Sequence, residues 1–329
     1  MNLRWIVVPA CLLASIVAPP SSPLAEGQAK PKVVLFSQQM AATAAFEMAQ
    51  KQGYFAEEGV DVDFRYFPSG VTAFQAFRAG QGDIVYSGEI PGIRIWAEAG
   101  QTYRVIAAVE RSAKYSGLVA KSSIKQISDL KGKKIAQRVG SVSSHFVYAI
   151  LRKGGLTEKD VTILDMDGPA MVSALDRGDI DAFALWSPYV ERALEVSGPK
   201  VHVLTYADAV VAGYYTIISA REEWIEKNRP ALTRFMKAAV RGNDYVRQNK
   251  AAVVAHYHER FGLETAQVSR HYDVLEYMMR FDERFYTDVK QFGGWMREVG
   301  MLKDPLSFDK LISVDGLRAV NPALAPTPR

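Results

Sequence analysis

The chain has 329 residues, 48% of them hydrophobic and 23% charged, a composition that supports a folded core in one large or two smaller units and excludes a disordered chain. Its 40 basic and 36 acidic residues leave a formal charge of +4 with no run of Lys and Arg, which argues against nucleic acid as a partner. The only cysteine is Cys11, so a disulfide framework and thiolate metal sites are excluded too.

The N-terminus carries Arg4, then a nearly apolar stretch over residues 5–17, then Pro19, Pro20, Ser21, Ser22, Pro23, Leu24 and Ala25. That charged, apolar, small-residue order predicts a secretory leader over residues 1–25, cut after Ala25, with Ala29 the second choice. It is shorter than the ~20 apolar residues that span a bilayer. A retained anchor is the alternative reading. Cys11 follows Val8-Pro9-Ala10, a poor lipoprotein box, and lipid anchoring is not expected.

Val33-Val34-Leu35-Phe36 reads as a buried strand. Ala42, Ala45, Phe46 and Ala49 share one helical face, and Gly53 stands where a C-terminal helix cap belongs. Val60, Val62 and Phe64 alternate with Asp61 and Asp63, a half-buried strand. This strand–helix–strand unit predicts a parallel sheet. It recurs about 102 residues later, with Ile135-Ala136, a helix through Phe146, Tyr148 and Leu151, Gly155, and a strand through Val161, Ile163 and Leu164. Ala76-Phe77-Arg78-Ala79-Gly80-Gln81-Gly82-Asp83 likewise repeats as Ala174-Leu175-Asp176-Arg177-Gly178-Asp179-Ile180-Asp181, each copy a helix ending at glycine before a strand.

Two further stretches, from Val105 through Val119 and from Val201 through Ile218, read as strands long enough to pass from one copy to the other. The C-terminal third reads as helices, with apolar faces at Leu232, Phe235, Met236, Ala239 and Val240, at Leu275, Met278 and Met279, and at Trp295, Met296 and Val299.

Gly53-Tyr54-Phe55-Ala56-Glu57-Glu58-Gly59-Val60-Asp61-Val62, Gly178-Asp179-Ile180-Asp181-Ala182 with Trp186-Ser187-Pro188, and Gly140-Ser141 with His145-Phe146 resemble motifs of substrate-binding proteins of ABC importers. The branch is the one for nitrate, sulfonates, taurine and thiamin-precursor pyrimidines. The resemblance implies a type II periplasmic binding fold: α/β, two lobes, a two-strand hinge, and closure around one ligand. The expected division is a leader over 1–25, lobe 1 over 30–111 and 216–305, lobe 2 over 112–215, and a C-terminal segment over 306–329.

Ligands of open parallel sheets bind beyond the carboxyl ends of the strands. The candidate contacts therefore sit in four strand-end loops: Ser37, Gln38 and Gln39; Ser87 and Glu89; Gly140, Ser141, Ser143, Ser144 and His145; and Trp186. The serines precede a helix and add donors to its positive N-terminal end, which suits an oxyanion. No Gly-Lys-Ser/Thr follows them, as a phosphate loop requires, and no Gly-x-Ser-x-Gly elbow is present there. Glu89 is the candidate partner for an ammonium such as taurine's, and Trp186 the candidate cover for an apolar ligand body. Arg111 and Arg138 are candidate countercharges and Tyr214 and Tyr215 contacts at the second crossing; Lys114 and Tyr115 are weaker candidates.

The expectation is a periplasmic, monomeric, non-enzymatic receptor without metal or cofactor. It would pass a sulfonate or taurine-like anion to a membrane permease with a cytoplasmic ATPase. Aromatic carboxylates, nitrate and pyrimidine precursors are alternative ligands, and a sensing module for a membrane receptor is an alternative role. A pyrimidine-synthesising enzyme on the same fold fits less well, because those relatives are cytosolic and carry a cysteine-rich motif that this chain lacks.

Overall fold

The computed structural model describes residues 30–100 and 102–326. The expected leader, its cleavage point and Cys11 lie outside the described residues.

Eleven strands form two sheets: β1 (Lys32–Ser37), β2 (Asp61–Tyr66), β3 (Ile84–Gly88), β4 (Tyr103–Ser112), β5 (Ser116–Lys121), β6 (Lys134–Gln137), β7 (Thr162–Asp165), β8 (Ala182–Trp186), β9 (Val201–Tyr206), β10 (Tyr214–Arg221) and β11 (Glu276–Arg280). The first has the order β11-β4-β10-β3-β1-β2 and the second β7-β6-β8-β5-β9. The predicted repeat is visible in both. Parallel β2-β1-β3 answers parallel β7-β6-β8, and each set continues into antiparallel strands, β10-β4 and β5-β9.

The capping glycines have the expected backbone. Gly53 has φ +77° and Gly178 has φ +85°, values that only glycine takes without strain. Aspartates of the repeat close the strand starts: Asp83 accepts from the Val34 N–H at 2.8 Å and Asp181 from the Lys134 N–H at 2.9 Å.

The two crossings differ from expectation. Neither is one long strand. The chain leaves the first sheet at Ser112, turns over residues 113–115 and enters the second at Ser116; it returns from Tyr206 through a single 3-10 turn and re-enters at Tyr214. Tyr214 pairs with Ser112, and Gly117 with Tyr206, so the crossings run side by side. Re-entry at Tyr214 falls two residues before the expected boundary at 216.

The stretch Leu275, Met278 and Met279, expected as a helical face, is strand β11 at the edge of the first sheet. Tyr277 opposes Glu110 and Arg280 opposes Ala108, so one extra residue bulges out, and Met279 takes φ +38° there. Burial of Met278 and Met279 against β4 outweighs their helix propensity.

The first sheet's core is closed by the long helix Arg229–Gln248, whose Phe235 stacks on Phe46 and Phe55. That helix lies so close to Ala44–Lys51 that a β-carbon built at Gly242 would sit 2.1 Å from the Ala45 carbonyl oxygen. Ile312 bridges to Val105 and ties the C-terminal segment to β4.

Candidate functional site

A cavity of about 640 Å³, including its open mouth, lies between the sheets. The first-sheet side supplies Gln38, Met40 and Ala42 beyond β1, Gly70 and Val71, Tyr86, Gly88 and Pro91, Glu110 and Ser112, Tyr214, Tyr215 and Thr216, and Leu275. The other side supplies Tyr115, Ser116, Ser141, Val142 and Trp186.

Three helices begin on this wall: Gly70–Arg78, Glu89–Glu98 and Val142–Lys153. Each carries about half a positive charge and unpaired N–H groups at that end. Ser69 caps the first, accepting from the Thr72 N–H at 3.2 Å. Ser141 caps the third, accepting from the Ser143 N–H at 3.2 Å. The second has Gly88 at its cap and no side-chain cap at all. The lining contains no Arg, Lys or His. The positive groups on this wall are therefore the helix ends, and its polar side chains apart from Glu110 are neutral: Gln38, Ser112, Ser116, Ser141, Thr216 and the tyrosines.

Of the predicted residues, Gln38, Tyr115, Ser141, Trp186, Tyr214 and Tyr215 line this cavity. Gln39 lines a neighbouring space with Gln38, Trp186 and Tyr189. The others are turned elsewhere. Ser37 is fully buried with its hydroxyl unpartnered. The Ser87 hydroxyl donates to the Gly88 carbonyl at 2.9 Å. In the loop over residues 140–144, Ser143 donates to the Ala184 carbonyl at 2.6 Å and Ser144 to the Arg138 carbonyl at 3.2 Å, while the Gly140 N–H donates to Ser144 Oγ at 3.0 Å. Ser143 ties the loop to β8, and Ser141, the loop serine on the wall, donates its own hydroxyl to the Arg138 carbonyl at 2.7 Å.

His145 faces away from the ligand space. Its Nδ1 shares a 2.8 Å hydrogen bond with the Tyr214 hydroxyl, and Phe292 and Trp295 pack edge-on against the ring. Burial lowers its pKa to about 4. Arg111 is engaged by Asp288 at 3.4 Å and by the Tyr215 hydroxyl at 3.0 Å. Arg138 pairs with Asp165 at 3.1 Å.

Glu89 is fully buried beneath the wall, where one carboxylate oxygen accepts from the Tyr215 N–H at 3.1 Å. Burial holds its pKa well above the usual carboxylate range. The carboxylate on the wall is Glu110 instead, 3% exposed. Tyr86 donates to it at 3.3 Å, Thr216 donates from the adjacent strand, and burial pushes its pKa up to about 8. The sequence held one signal for it: a carboxylate directly after the apolar run Val105-Ile106-Ala107-Ala108-Val109. Gly70, Val71, Tyr86, Ser112, Ser116 and Thr216 also escaped sequence reasoning. Nothing local marks them.

Contacts between the lobes flank the cavity. Glu191 on helix Tyr189–Ser197 approaches His271 on helix Thr265–Val274 at 3.4 Å, and Arg152 meets Glu298 at 2.7 Å.

Two α/β lobes joined by paired crossings, with a cavity between them lined by helix N-termini, define the two-lobed periplasmic binding protein fold. The chain belongs to the NMT1/THI5-like family, whose model matches residues 41–252. It is 31% identical over 198 residues to the taurine-binding periplasmic protein of Escherichia coli K12, an alignment covering 59% of this chain and 60% of that one. Among solved structures it is similar to the alkanesulfonate-binding protein SsuA of Xanthomonas axonopodis pv. citri bound to MOPS, with TM-score 0.74, 19% identity, and 87% of this chain and 100% of that one covered. The desulfurization enzyme DSZB shares the fold as well, with TM-score 0.70, 16% identity, and 88% and 99% covered.

Proposed function

We propose that the protein is the periplasmic solute-binding component of an ABC importer and captures a small organic anion, a sulfonate or taurine-like compound. Lobe 1 comprises residues 30–111 and 216–305, lobe 2 residues 112–215, and a C-terminal segment residues 306–329, of which Ile312 bridges to Val105. Ligand selects the closed arrangement of the lobes, and the closed receptor delivers it to a membrane permease driven by a cytoplasmic ATPase. The leader read at residues 1–25 and the taurine-binding relative support this reading.

The observation that carries it is the convergence of three helix N-termini on one cavity without a cationic side chain. Such ends hold an oxyanion by N–H donation, each contributing up to about 2 kcal/mol where partly buried. The aromatic wall of Tyr86, Tyr115, Tyr214, Tyr215 and Trp186 confines the organic part of the ligand. Receptor rather than enzyme is favoured by the disposition of reactive groups. The cavity lining holds no His or Cys, His145 is engaged by Tyr214, and the chain's one cysteine is Cys11.

Thermal unfolding against taurine, alkyl and aryl sulfonates, aryl carboxylates, nitrate and pyrimidines tests the proposal. Ligand at 100 times Kd stabilises the native state by about 2.7 kcal/mol. The expected result is a raised Tm with sulfonates. A shift with nitrate or pyrimidines alone would overturn the ligand class.

A further inference from the structure

The one ionisable side chain on the cavity wall, apart from tyrosines, is a carboxylate with no cation beside it. Among the described residues Glu110 forms no ion pair. Its hydrogen-bond partners are two neutral hydroxyls, those of Tyr86 and Thr216. On the strands flanking β4, Thr216 and Tyr277 stand opposite it. The other ionisable groups near it are Tyr115 and, behind the wall, the buried Glu89. A buried carboxylate without a countercharge is expensive to maintain as an anion. One that faces ligand space can receive its countercharge from the ligand.

We propose that the physiological ligand carries a protonated amine as well as its anionic group, and that Glu110 receives the amine while the helix N-termini receive the anion. The inference rests on the receptor reading above and narrows its ligand class. The surrounding rings support it. Tyr86, Tyr115, Tyr215 and Trp186 share the wall with Glu110, and ammonium groups are attracted to aromatic faces. Two carboxyl–hydroxyl bonds leave lone pairs on Glu110 for N–H donors. Closure around a ligand without an amine leaves that carboxyl desolvated and unmatched, which is the arrangement that rejects the wrong ligand most strongly.

Glu110 with its pKa near 8 holds a proton over most of the empty receptors at pH 7. An ammonium beside it favours the anion, so capture releases that proton. Affinity for the amine-bearing ligand then rises with pH between 6 and 8.

The test is calorimetric titration of the protein and its Glu110→Gln variant with taurine, ethanesulfonate and β-alanine. Taurine and ethanesulfonate differ by the amine, and β-alanine keeps the amine but replaces the sulfonate. The expected result is a preference for taurine over ethanesulfonate of at least about 100-fold, falling below about fivefold in the variant. The unmutated protein should also show binding heats that depend on the buffer's ionisation enthalpy, and the variant should not. The unmutated protein's own ranking of the three compounds does not depend on whether the variant folds. Ethanesulfonate bound as tightly as taurine would overturn the amine inference and leave the sulfonate receptor standing. β-Alanine bound in a Glu110-dependent way, with neither sulfonate bound, would uphold the amine inference and overturn the sulfonate class. A taurine preference unchanged in a folded Glu110→Gln protein would overturn the assignment to Glu110.

Discussion

Replacing His145 by Phe should flatten the acid limb of the stability profile. The imidazole is buried among Tyr148, Tyr214, Phe292 and Trp295, and its pKa falls from 6.5 to about 4. The unfolded chain therefore binds a proton between these values that the folded chain does not. His145 contributes stability that is fully present above pH 6.5 and is lost as pH falls through 4. A drop of about 2.5 pKa units at 1.36 kcal/mol each is about 3 kcal/mol. The assay is urea unfolding of both proteins at intervals from pH 7.5 to 4. His145→Phe adds a constant term, because the Tyr214 hydroxyl loses its partner. The other titrating groups cancel in the difference, so the gap between the two proteins should change by about 3 kcal/mol across that range. A gap constant to within about 0.5 kcal/mol would refute the buried neutral imidazole.

Gly242→Ala should lower stability by about 2 to 3 kcal/mol in urea unfolding, because the new methyl meets the Ala45 carbonyl and the two helices must part. Ser69→Ala and Ser141→Ala each remove a helix cap and should each lower unfolding stability by about 1 kcal/mol. Both should also weaken taurine binding, and Ser141→Ala the more, since Ser141 lines the cavity. Glu191→Gln breaks the pair with His271 between the lobes. It should weaken ligand binding by about fivefold through the closed state's population, and small-angle scattering should show a larger radius at subsaturating ligand. In thermal unfolding, Glu110→Gln should gain stability relative to the unmutated apo protein as pH rises from about 4.5 to about 8 and level off above that, because a carboxyl whose pKa is raised on folding loses its stabilising contribution between its unfolded and folded values.

Much of the architecture was local and so could be read from the chain. The apolar run Val33-Val34-Leu35-Phe36 and the Gly53 and Gly178 caps are set by residues within a few positions, and periodicity exposes them. Repetition of that unit implied two lobes, and the loops after the strands pointed to the end of each sheet where the cavity lies. Which side chains reach the ligand space was decided elsewhere. Ser143 and Ser144 stand beside Ser141 in sequence, yet only Ser141 reaches the cavity lining, while the Ser143 hydroxyl is taken by the Ala184 carbonyl once β8 lies alongside. His145 is drawn off by Tyr214, Phe292 and Trp295, from strand β10 and a C-terminal helix. Glu89 and Glu110 are both carboxylates near strand ends. Only the pairing of β10 with β3 and β4 buries the first against the Tyr215 N–H and turns the second toward the cavity. A sequence states which groups are available and with what period; which of them stay unpartnered in a cleft depends on partners distant in the chain, such as Ala184 for Ser143, Tyr214 for His145 and Tyr215 for Glu89, and only packing brings those together.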